Sequence, residues 1–168
     1  MKIMPSRAPL LLLENPENVF DLRPTPAALL VDVEGTLTEF SPSRGSVIEA
    51  LKRFDEVARR NSVDLRRVHY ITNADFKEFG VQYPDFAARV HPHARKPFFA
   101  PPEEFRRYGN DTVVVGDQYL TDGLLAWRFG FSFALVRTSV DQPTWPRVQR
   151  AIGRVLALVF FKVAEVSR

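Results

Sequence analysis

The chain has 168 residues, which predicts one compact domain over residues 1–168 and leaves little room for a second. Its 45% hydrophobic and 26% charged residues exclude intrinsic disorder as the main state, and the absence of cysteine excludes disulfides and thiol catalysis. The net charge is +3, but the arginines are scattered rather than grouped with aromatic residues, so we expect no nucleic-acid partner.

Short apolar runs alternate with helical patterns along the chain. After an N-terminal lead-in segment, residues 1–24, the runs predict strands at residues 27–33, 68–71, 88–90, 112–115 and 131–136. Helical spacing and helix-opening prolines predict helices at residues 45–60, 75–81, 101–108, 120–129 and 144–166. Strands and helices that alternate in this way are typical of the α/β class, and we expect a doubly wound parallel sheet.

No segment reaches the roughly 20 consecutive apolar residues that a transmembrane helix needs. The apolar run at residues 10–13 is also too short for a secretory signal, and Glu14 and Glu17 follow it closely. We therefore expect a cytoplasmic protein and leave open whether it contacts the inner face of a membrane. The run at residues 10–13 belongs either to such a contact surface or to the core.

The last predicted helix is amphipathic and carries an apolar stripe. The stripe consists of Val148, Ala151, Ile152, Val155, Leu156, Val159 and Val163. On the other side of the helix lie Arg147, Arg150 and Arg154. The stripe either covers the sheet or lies in the interfacial region of a membrane, and the second interpretation is favoured by Leu158, Phe160 and Phe161, which widen the apolar surface.

Polar residues stand at the ends of the predicted strands, and the carboxyl ends of parallel strands meet at one edge of a sheet. They are Asp32, Glu34 and Thr36 at the first strand, Thr72 and Asn73 at the second, Lys96 after the third, and Asp117 and Asp122 after the fourth. Carboxylate oxygens suit Mg²⁺, and a bound cation together with Lys96 explains how neighbouring carboxylates coexist. The pattern predicts a site for a divalent cation and a phosphoryl group.

These four segments resemble, in order, the motifs of the haloacid dehalogenase-like (HAD) phosphatase superfamily over residues 27–137. They read LLVDVEGTL at residues 29–37, YITN at 70–73, KP at 96–97 and VVVGDQYLTD at 113–122. The fourth, with KP upstream and RFG after it, is similar to the YqeG-like subfamily, which includes mitochondrial phosphatidylglycerophosphate phosphatases. The resemblance implies a HAD-like Rossmannoid fold and phosphatase activity.

The resemblance also implies roles for single residues. Asp32 would be the nucleophile that forms an aspartyl-phosphate, and Glu34 would be the general acid and base. Thr72, Asn73 and Lys96 would bind the phosphoryl group, with the lysine also counted as catalytic.

Mg²⁺ is the cofactor that the resemblance implies. It would be held by Asp32, by the backbone carbonyl of Glu34 and by Asp117, with Asp122 in the outer shell. The family usually has aspartate where this chain has Glu34, although enolase-phosphatases of the same superfamily also carry the pattern Asp-x-Glu-Gly-Thr. Either Glu34 supports turnover or the chain is a non-catalytic regulatory protein.

Related phosphatases often gain selectivity from a cap domain inserted between the motifs. Only 39 residues lie between Asp32 and Thr72, and 23 between Thr72 and Lys96, so we expect a single capless domain with an open site. Members without a cap tend to act on large substrates. The resemblance therefore favours dephosphorylation of phosphatidylglycerophosphate, with a phospholipid headgroup as partner and peripheral membrane contact, and leaves a soluble sugar or nucleotide phosphate as the alternative.

Overall fold

The computed structural model describes residues 7–40, 42–73, 86, 88–91, 96, 102–137 and 144–163. Its strands are β1 (Ala8–Leu13), β2 (Ala28–Asp32), β3 (Val68–Ile71), β4 (Val90–His91), β5 (Thr112–Gly116), β6 (Ser132–Val136) and β7 (Phe161–Val163). Within the described residues they form one sheet in the order β4-β3-β2-β5-β6-β1-β7. Each pairing between neighbouring strands is parallel.

The helices are α1 (Arg44–Arg60), α2 (Pro102–Arg106), α3 (Leu124–Phe129) and α4 (Thr144–Phe160). Short 3₁₀ helices occupy Pro16–Asp21 and Leu65–Arg67, and a π-helical turn, Tyr119–Gly123, leads into α3. The helix predicted at residues 120–129 therefore begins as a π turn. The strand predicted at residues 88–90 forms at Val90–His91, and the helix predicted at residues 75–81 lies outside the described residues.

Successive residues of a strand point to opposite sides of the sheet. Apolar strand residues therefore face both sides, and helices pack against both faces. On one face, Val31 of β2 belongs to a core cluster that includes Phe54 of α1. On the other face, Leu30 clusters with Phe105 of α2 and Leu125 of α3. The predicted α/β fold with a doubly wound parallel sheet is thus confirmed.

The N-terminal lead-in segment contains a strand that the sequence analysis did not predict. Ala8–Leu13 forms β1, which lies between β6 and β7. Leu10 and Leu13 are buried, whereas Leu12 stays largely exposed. The run at residues 10–13 therefore belongs mainly to the core.

The C-terminal helix ends at Phe160, earlier than the predicted residue 166, because Phe161–Val163 pairs with β1 as a strand. The ring of Phe161 is buried 5.6 Å from that of Phe133, and the ring of Phe160 lies 4.8 Å from that of Trp127. The expectation that both phenylalanines widen an exposed apolar surface is wrong. Leu158, in contrast, is 74% exposed.

The apolar stripe of α4 faces away from the sheet. The helix packs inward through small residues, since Gly153 and Ala157 are buried. Val148, Ile152 and Val155 are 41%, 48% and 69% exposed. The interpretation that the stripe covers the sheet is therefore wrong. No helix within the described residues is both long and apolar enough to cross a bilayer.

A buried ion pair ties α1 to the β3–β4 side of the sheet. Asp55 of α1 accepts hydrogen bonds from Arg89 Nη2 at 2.6 Å, Arg89 Nη1 at 3.0 Å and the Tyr70 hydroxyl at 2.6 Å. Burial and the neighbouring carboxylate both raise the pKa of Tyr70, so its hydroxyl remains a donor at neutral pH. The Asp55 carboxylate thus holds α1, β3 and the turn before β4 together.

Asp55→Ala should lower the free energy of unfolding by about 3–5 kcal/mol, because it removes the buried carboxylate that pairs with the Arg89 guanidinium and accepts from the Tyr70 hydroxyl. Urea denaturation measures the loss. Glu56→Ala, at an exposed position of the same helix, is the control and should change stability by less than about 0.5 kcal/mol. Equal, small effects of both substitutions would contradict the stabilising role of the ion pair.

Two histidines pack together at the β3–β4 edge. The rings of His69 and His91 lie 5.6 Å apart, and His91 Nε2 is 3.0 Å from the Tyr108 hydroxyl. The pKa of each is lowered to about 4, mainly by burial; the charge of Arg107 contributes to both shifts, and His69 contributes to that of His91. Both rings are therefore neutral in the folded protein at pH 7.

Because these pKa values lie below the usual 6.5 of histidine, the unfolded chain binds more protons than the folded one between about pH 6.5 and pH 4. The stabilisation that the two neutral histidines contribute to the folded state is fully present above pH 6.5. The free energy of unfolding should fall as the pH is lowered from about 6.5 to about 4. Urea denaturation at several pH values measures the slope. His69→Gln should flatten it, and an unchanged slope would show that His69 does not contribute.

Candidate active site

Three buried carboxylates meet at the carboxyl edge of the sheet. β2 and β5 are neighbours, with Val31 beside Val115, so Asp32 at the end of β2 and Asp117 just after β5 lie close together. Asp122 joins them from the π-helical turn. The three side chains offer carboxylate oxygens that all lie within 4.8 Å of one another.

Gly116 makes the close approach of Asp122 possible. A Cβ atom at residue 116 would lie 2.4 Å from the Asp122 side chain, so any larger residue would displace that carboxylate. The backbone N–H of Gln118 donates to Asp122 Oδ2 at 3.3 Å and fixes its orientation. Gly116 and the π-helical turn together determine the position of the Asp122 carboxylate.

Lys96 binds two of the three carboxylates. Its Nζ lies 2.6 Å from Asp32 Oδ1 and 2.5 Å from Asp122 Oδ1. Its backbone N–H donates to Asn73 Oδ1 at 3.0 Å, which ties the lysine to the end of β3. Burial disfavours its charge, but Asp122 and Asp32 outweigh burial and raise the pKa of Lys96 above its ordinary value. The ammonium is therefore a permanent positive charge in the site.

Burial and mutual repulsion disfavour ionisation of the carboxylates in the acidic group. Burial first, and then Asp122 and Asp117, raise the pKa of Asp32 well above its ordinary value despite Lys96. Burial and Asp122 raise the pKa of Asp117 to about 7. A divalent cation among these oxygens would favour the ionised carboxylates, and Mg²⁺ prefers hard oxygen ligands of this kind. The donor set fits the predicted cofactor.

The turn after β2 follows the first motif. Gly35 has φ +83°, and a Cβ atom there would lie 2.6 Å from the Phe40 ring and 3.1 Å from Asp117 Oδ2, so the position requires glycine. The Thr36 hydroxyl donates to Asp32 Oδ2 at 3.2 Å. Glu34 stands half-buried at the start of this turn.

The predicted site residues differ in how closely the structure brings them together. Asp32, Lys96, Asp117 and Asp122 form the contacts described above. Within the described residues, the group of acidic side chains close enough to share a cation does not include Glu34, whose predicted contact to the metal is through its backbone carbonyl.

The second motif borders the same edge. Thr72 directly follows β3, next to the end of β2, and is fully buried. Its backbone N–H donates to the His91 carbonyl at 3.2 Å, which fixes the peptide between β3 and β4. Asn73, the next residue, holds the backbone of Lys96.

Arg150 is a site residue that the sequence analysis missed. Its Nη2 lies 3.2 Å from Asp117 Oδ2 and 3.5 Å from the Asp117 carbonyl. α4 is held close to the site because a Cβ atom on Gly153 would lie only 2.7 Å from Tyr119 Cβ. Arg150 lies 33 positions after Asp117 in the chain, and no local motif marks it. Periodicity therefore assigned it only to the polar side of an amphipathic helix.

A cavity of about 770 Å³ lies along the turn after β2. Gly35 and Thr36 line it from the site, Glu14 and Arg137 from the ends of β1 and β6, and Glu49 from α1. The cavity therefore adjoins the turn that follows Asp32, and polar side chains form much of its lining.

The fold and this site define an α/β protein with a buried acidic centre at the carboxyl edge of a parallel sheet. The family model described as HAD-hydrolase-like matches residues 85–157. This match contains Lys96, Asp117 and Asp122 and supports membership of the HAD superfamily and a hydrolase activity in general. No curated protein and no solved structure gives a significant match to the chain.

Proposed function

We propose that the protein is a Mg²⁺-dependent phosphomonoester hydrolase in which Asp32 is the nucleophile. The observation that carries the proposal is the contact of Lys96 Nζ with Asp32 Oδ1 at 2.6 Å beside a three-carboxylate group that could hold a cation. A phosphoryl group must approach an anionic nucleophile, and the buried ammonium supplies positive charge at that point.

The reaction proceeds in two displacements. An oxygen of Asp32 attacks phosphorus, the ester P–O bond breaks, and the leaving alkoxide takes a proton from Glu34. Water then attacks the aspartyl-phosphate and gives its proton to Glu34, and the bond between phosphorus and Asp32 breaks. The products are the alcohol and inorganic phosphate, and both side chains return to their starting states.

The surrounding residues bind and orient the phosphoryl group. The Lys96 ammonium and the Thr72 hydroxyl donate to its oxygens, while Asn73 holds the backbone of Lys96 and offers its own amide. Asp32, Asp117 and the Glu34 carbonyl would hold Mg²⁺, with Asp122 outside them. Bound Mg²⁺ would supply the charge that offsets repulsion between carboxylate and phosphate.

The proposed substrate is phosphatidylglycerophosphate, hydrolysed to phosphatidylglycerol at the cytoplasmic side of a membrane. The stretch between β2 and β3 supports this choice, because the described chain forms α1 and one 3₁₀ turn there and no folded cap. The cavity along the turn after β2 favours the second candidate, a soluble sugar or nucleotide phosphate with a polar leaving group. Glu34 in place of aspartate supports the third, a non-catalytic regulatory protein.

Phosphate release from a panel of esters separates these candidates. The panel contains phosphatidylglycerophosphate in mixed micelles, sugar phosphates, nucleotides and p-nitrophenyl phosphate, each with Mg²⁺ and with EDTA. Release from the lipid above all others supports the proposal, and release from a soluble ester supports the second candidate. Inactivity on every ester would contradict catalysis.

Mg²⁺ itself should stabilise the folded chain by about 2.7 kcal/mol at a concentration of 100 times its dissociation constant. Asp117→Ala should abolish this gain, because it removes one of three clustered carboxylates. Thermal melting with and without Mg²⁺ measures the increment independently of catalysis. Glu56→Ala is the control and should keep the full increment. The same increment in the Asp117 variant would locate the cation elsewhere.

A further inference from the structure

We propose that the outward surface of α4 docks on an anionic lipid bilayer. This docking face consists of Val148, Ile152, Val155, Leu158 and Val159. All five side chains are between 41% and 74% exposed. Large apolar side chains grouped on one exposed surface mark an interaction site rather than ordinary solvated surface.

The packing of α4 reverses that of an ordinary surface helix, which buries its large apolar residues. Here the buried side is made of Gly153, which lies against Tyr119, and Ala157. The helix is fixed by a close backbone approach, so its large apolar side chains are left for another surface. The docking face therefore does not contribute to the core of this chain.

The positive charges around the docking face indicate which kind of surface it binds. Residues 144–163 contain four cations, Arg147, Arg150, Arg154 and Lys162, and no acidic residue. Arg147 and Arg154, two helical turns apart, are exposed and follow one edge of the docking face. An apolar face bordered by arginines matches the acyl and phosphate regions of an anionic bilayer.

A second copy of this chain fits the docking face less well. A two-fold contact between antiparallel helices would bring identical surfaces together and place the arginine edge of one helix beside that of the other, where like charges repel. Lipid phosphates carry the opposite charge.

Docking would also bring the bilayer beside the candidate active site. Arg150 lies on the same side of α4 as the arginine edge and reaches Asp117 at 3.2 Å. A headgroup held at this edge would be close to the acidic centre. This step alone rests on the proposed function, whereas binding to lipid does not require any catalysis.

Cosedimentation with vesicles tests the docking face. One set contains phosphatidylglycerol and phosphatidylcholine in equal parts, and the other contains phosphatidylcholine alone. We expect binding to the anionic vesicles that weakens at high salt. The double variant Val155→Ser, Leu158→Ser should bind at least about tenfold more weakly because apolar contact is lost.

Charge removal is tested in parallel. Arg147→Gln with Arg154→Gln should weaken binding by about fivefold per arginine, and the control, Arg59→Gln with Arg60→Gln on exposed positions of α1, should bind like the wild type. Melting curves check that each variant is folded. Hydrolysis of soluble p-nitrophenyl phosphate should be the same in all of them, so failure to dock and failure to catalyse are distinguished.

Two results would overturn the inference. One is wild-type protein that stays in the supernatant with anionic vesicles, or binding that the α4 variants leave unchanged. The other is a dimer in sedimentation equilibrium that the Val155→Ser, Leu158→Ser variant dissociates, which would assign the docking face to a second copy of the chain.

Discussion

Asp32→Asn is expected to lower kcat for phosphate release by at least about 10³-fold, because the amide cannot attack phosphorus and form the aspartyl-phosphate. The fold should persist. The asparagine oxygen can still accept the hydrogen bond that Lys96 Nζ makes at 2.6 Å, and one of three crowded carboxylates is removed. Steady-state kinetics and thermal melting, performed on the same sample, test both statements.

The matched control is Asp111→Asn, an identical substitution at an exposed position near the opposite end of the neighbouring strand β5. It should retain wild-type kcat. Acid quench of the wild type with radiolabelled substrate should trap phosphate on the protein, and Asp32→Asn should trap none. A variant that kept about a tenth of wild-type turnover would exclude Asp32 as the nucleophile.

The sequence predicted the centre of the sheet because its strands are buried on both faces. β2 and β5 read as continuous apolar runs, and such runs occur in central parallel strands. Once these strands are adjacent, the parallel geometry brings Asp32 and Asp117 to one edge. That part of the candidate site follows from local patterns together with the adjacency of β2 and β5 in the parallel sheet.

The edge of the sheet formed by β7 could not be predicted from local patterns. β7 has three residues that continue the helical periodicity of α4, and only its pairing with β1, more than 140 residues earlier, makes Phe161–Val163 a strand. Arg150 was not predicted as a site residue for the same reason, because its partner Asp117 is distant in the sequence. Contacts between distant parts of the chain decide both features, and hydrophobic patterns within short segments do not reveal such contacts.

The direction of the docking face shows a further limit of periodicity. Helical spacing identified the apolar stripe of α4 but could not say which side packs on the sheet. The two buried small residues, Gly153 and Ala157, lie opposite the stripe, and the close approach of Gly153 to Tyr119 in the π-helical turn orients the helix. Small residues at helical spacing were the available signal, and hydrophobicity alone gives them little weight.

Glu34 is the residue for which the chemistry is most sharply testable. If it protonates the leaving group, Glu34→Gln should slow hydrolysis of a glycerol-type phosphate by about 10²–10⁴-fold, since the alkoxide is a poor leaving group without a proton. Formation of p-nitrophenolate needs no proton, so the release of that group should change far less. The measured quantity is the ratio of kcat/KM for the two esters.

The side-chain substitution leaves the backbone carbonyl of Glu34 in position, so a proposed cation contact through that carbonyl is retained. Glu39→Gln, an exposed glutamate in the same turn, is the control and should leave the ratio unchanged. Glu34→Asp should keep substantial activity, because it restores the residue usual in the superfamily that the chain resembles.

Two outcomes would require another role for Glu34. Equal losses on both esters in the glutamine variant would mean that the side chain acts through the geometry of the turn, where Gly35 approaches Asp117, rather than through proton transfer. A wild type that is inert on both esters, with activity gained by Glu34→Asp, would identify the extra methylene as the cause, since a displacement of about 1 Å can cost 10²-fold in rate. The chain would then be a non-catalytic protein that retains a phosphatase site.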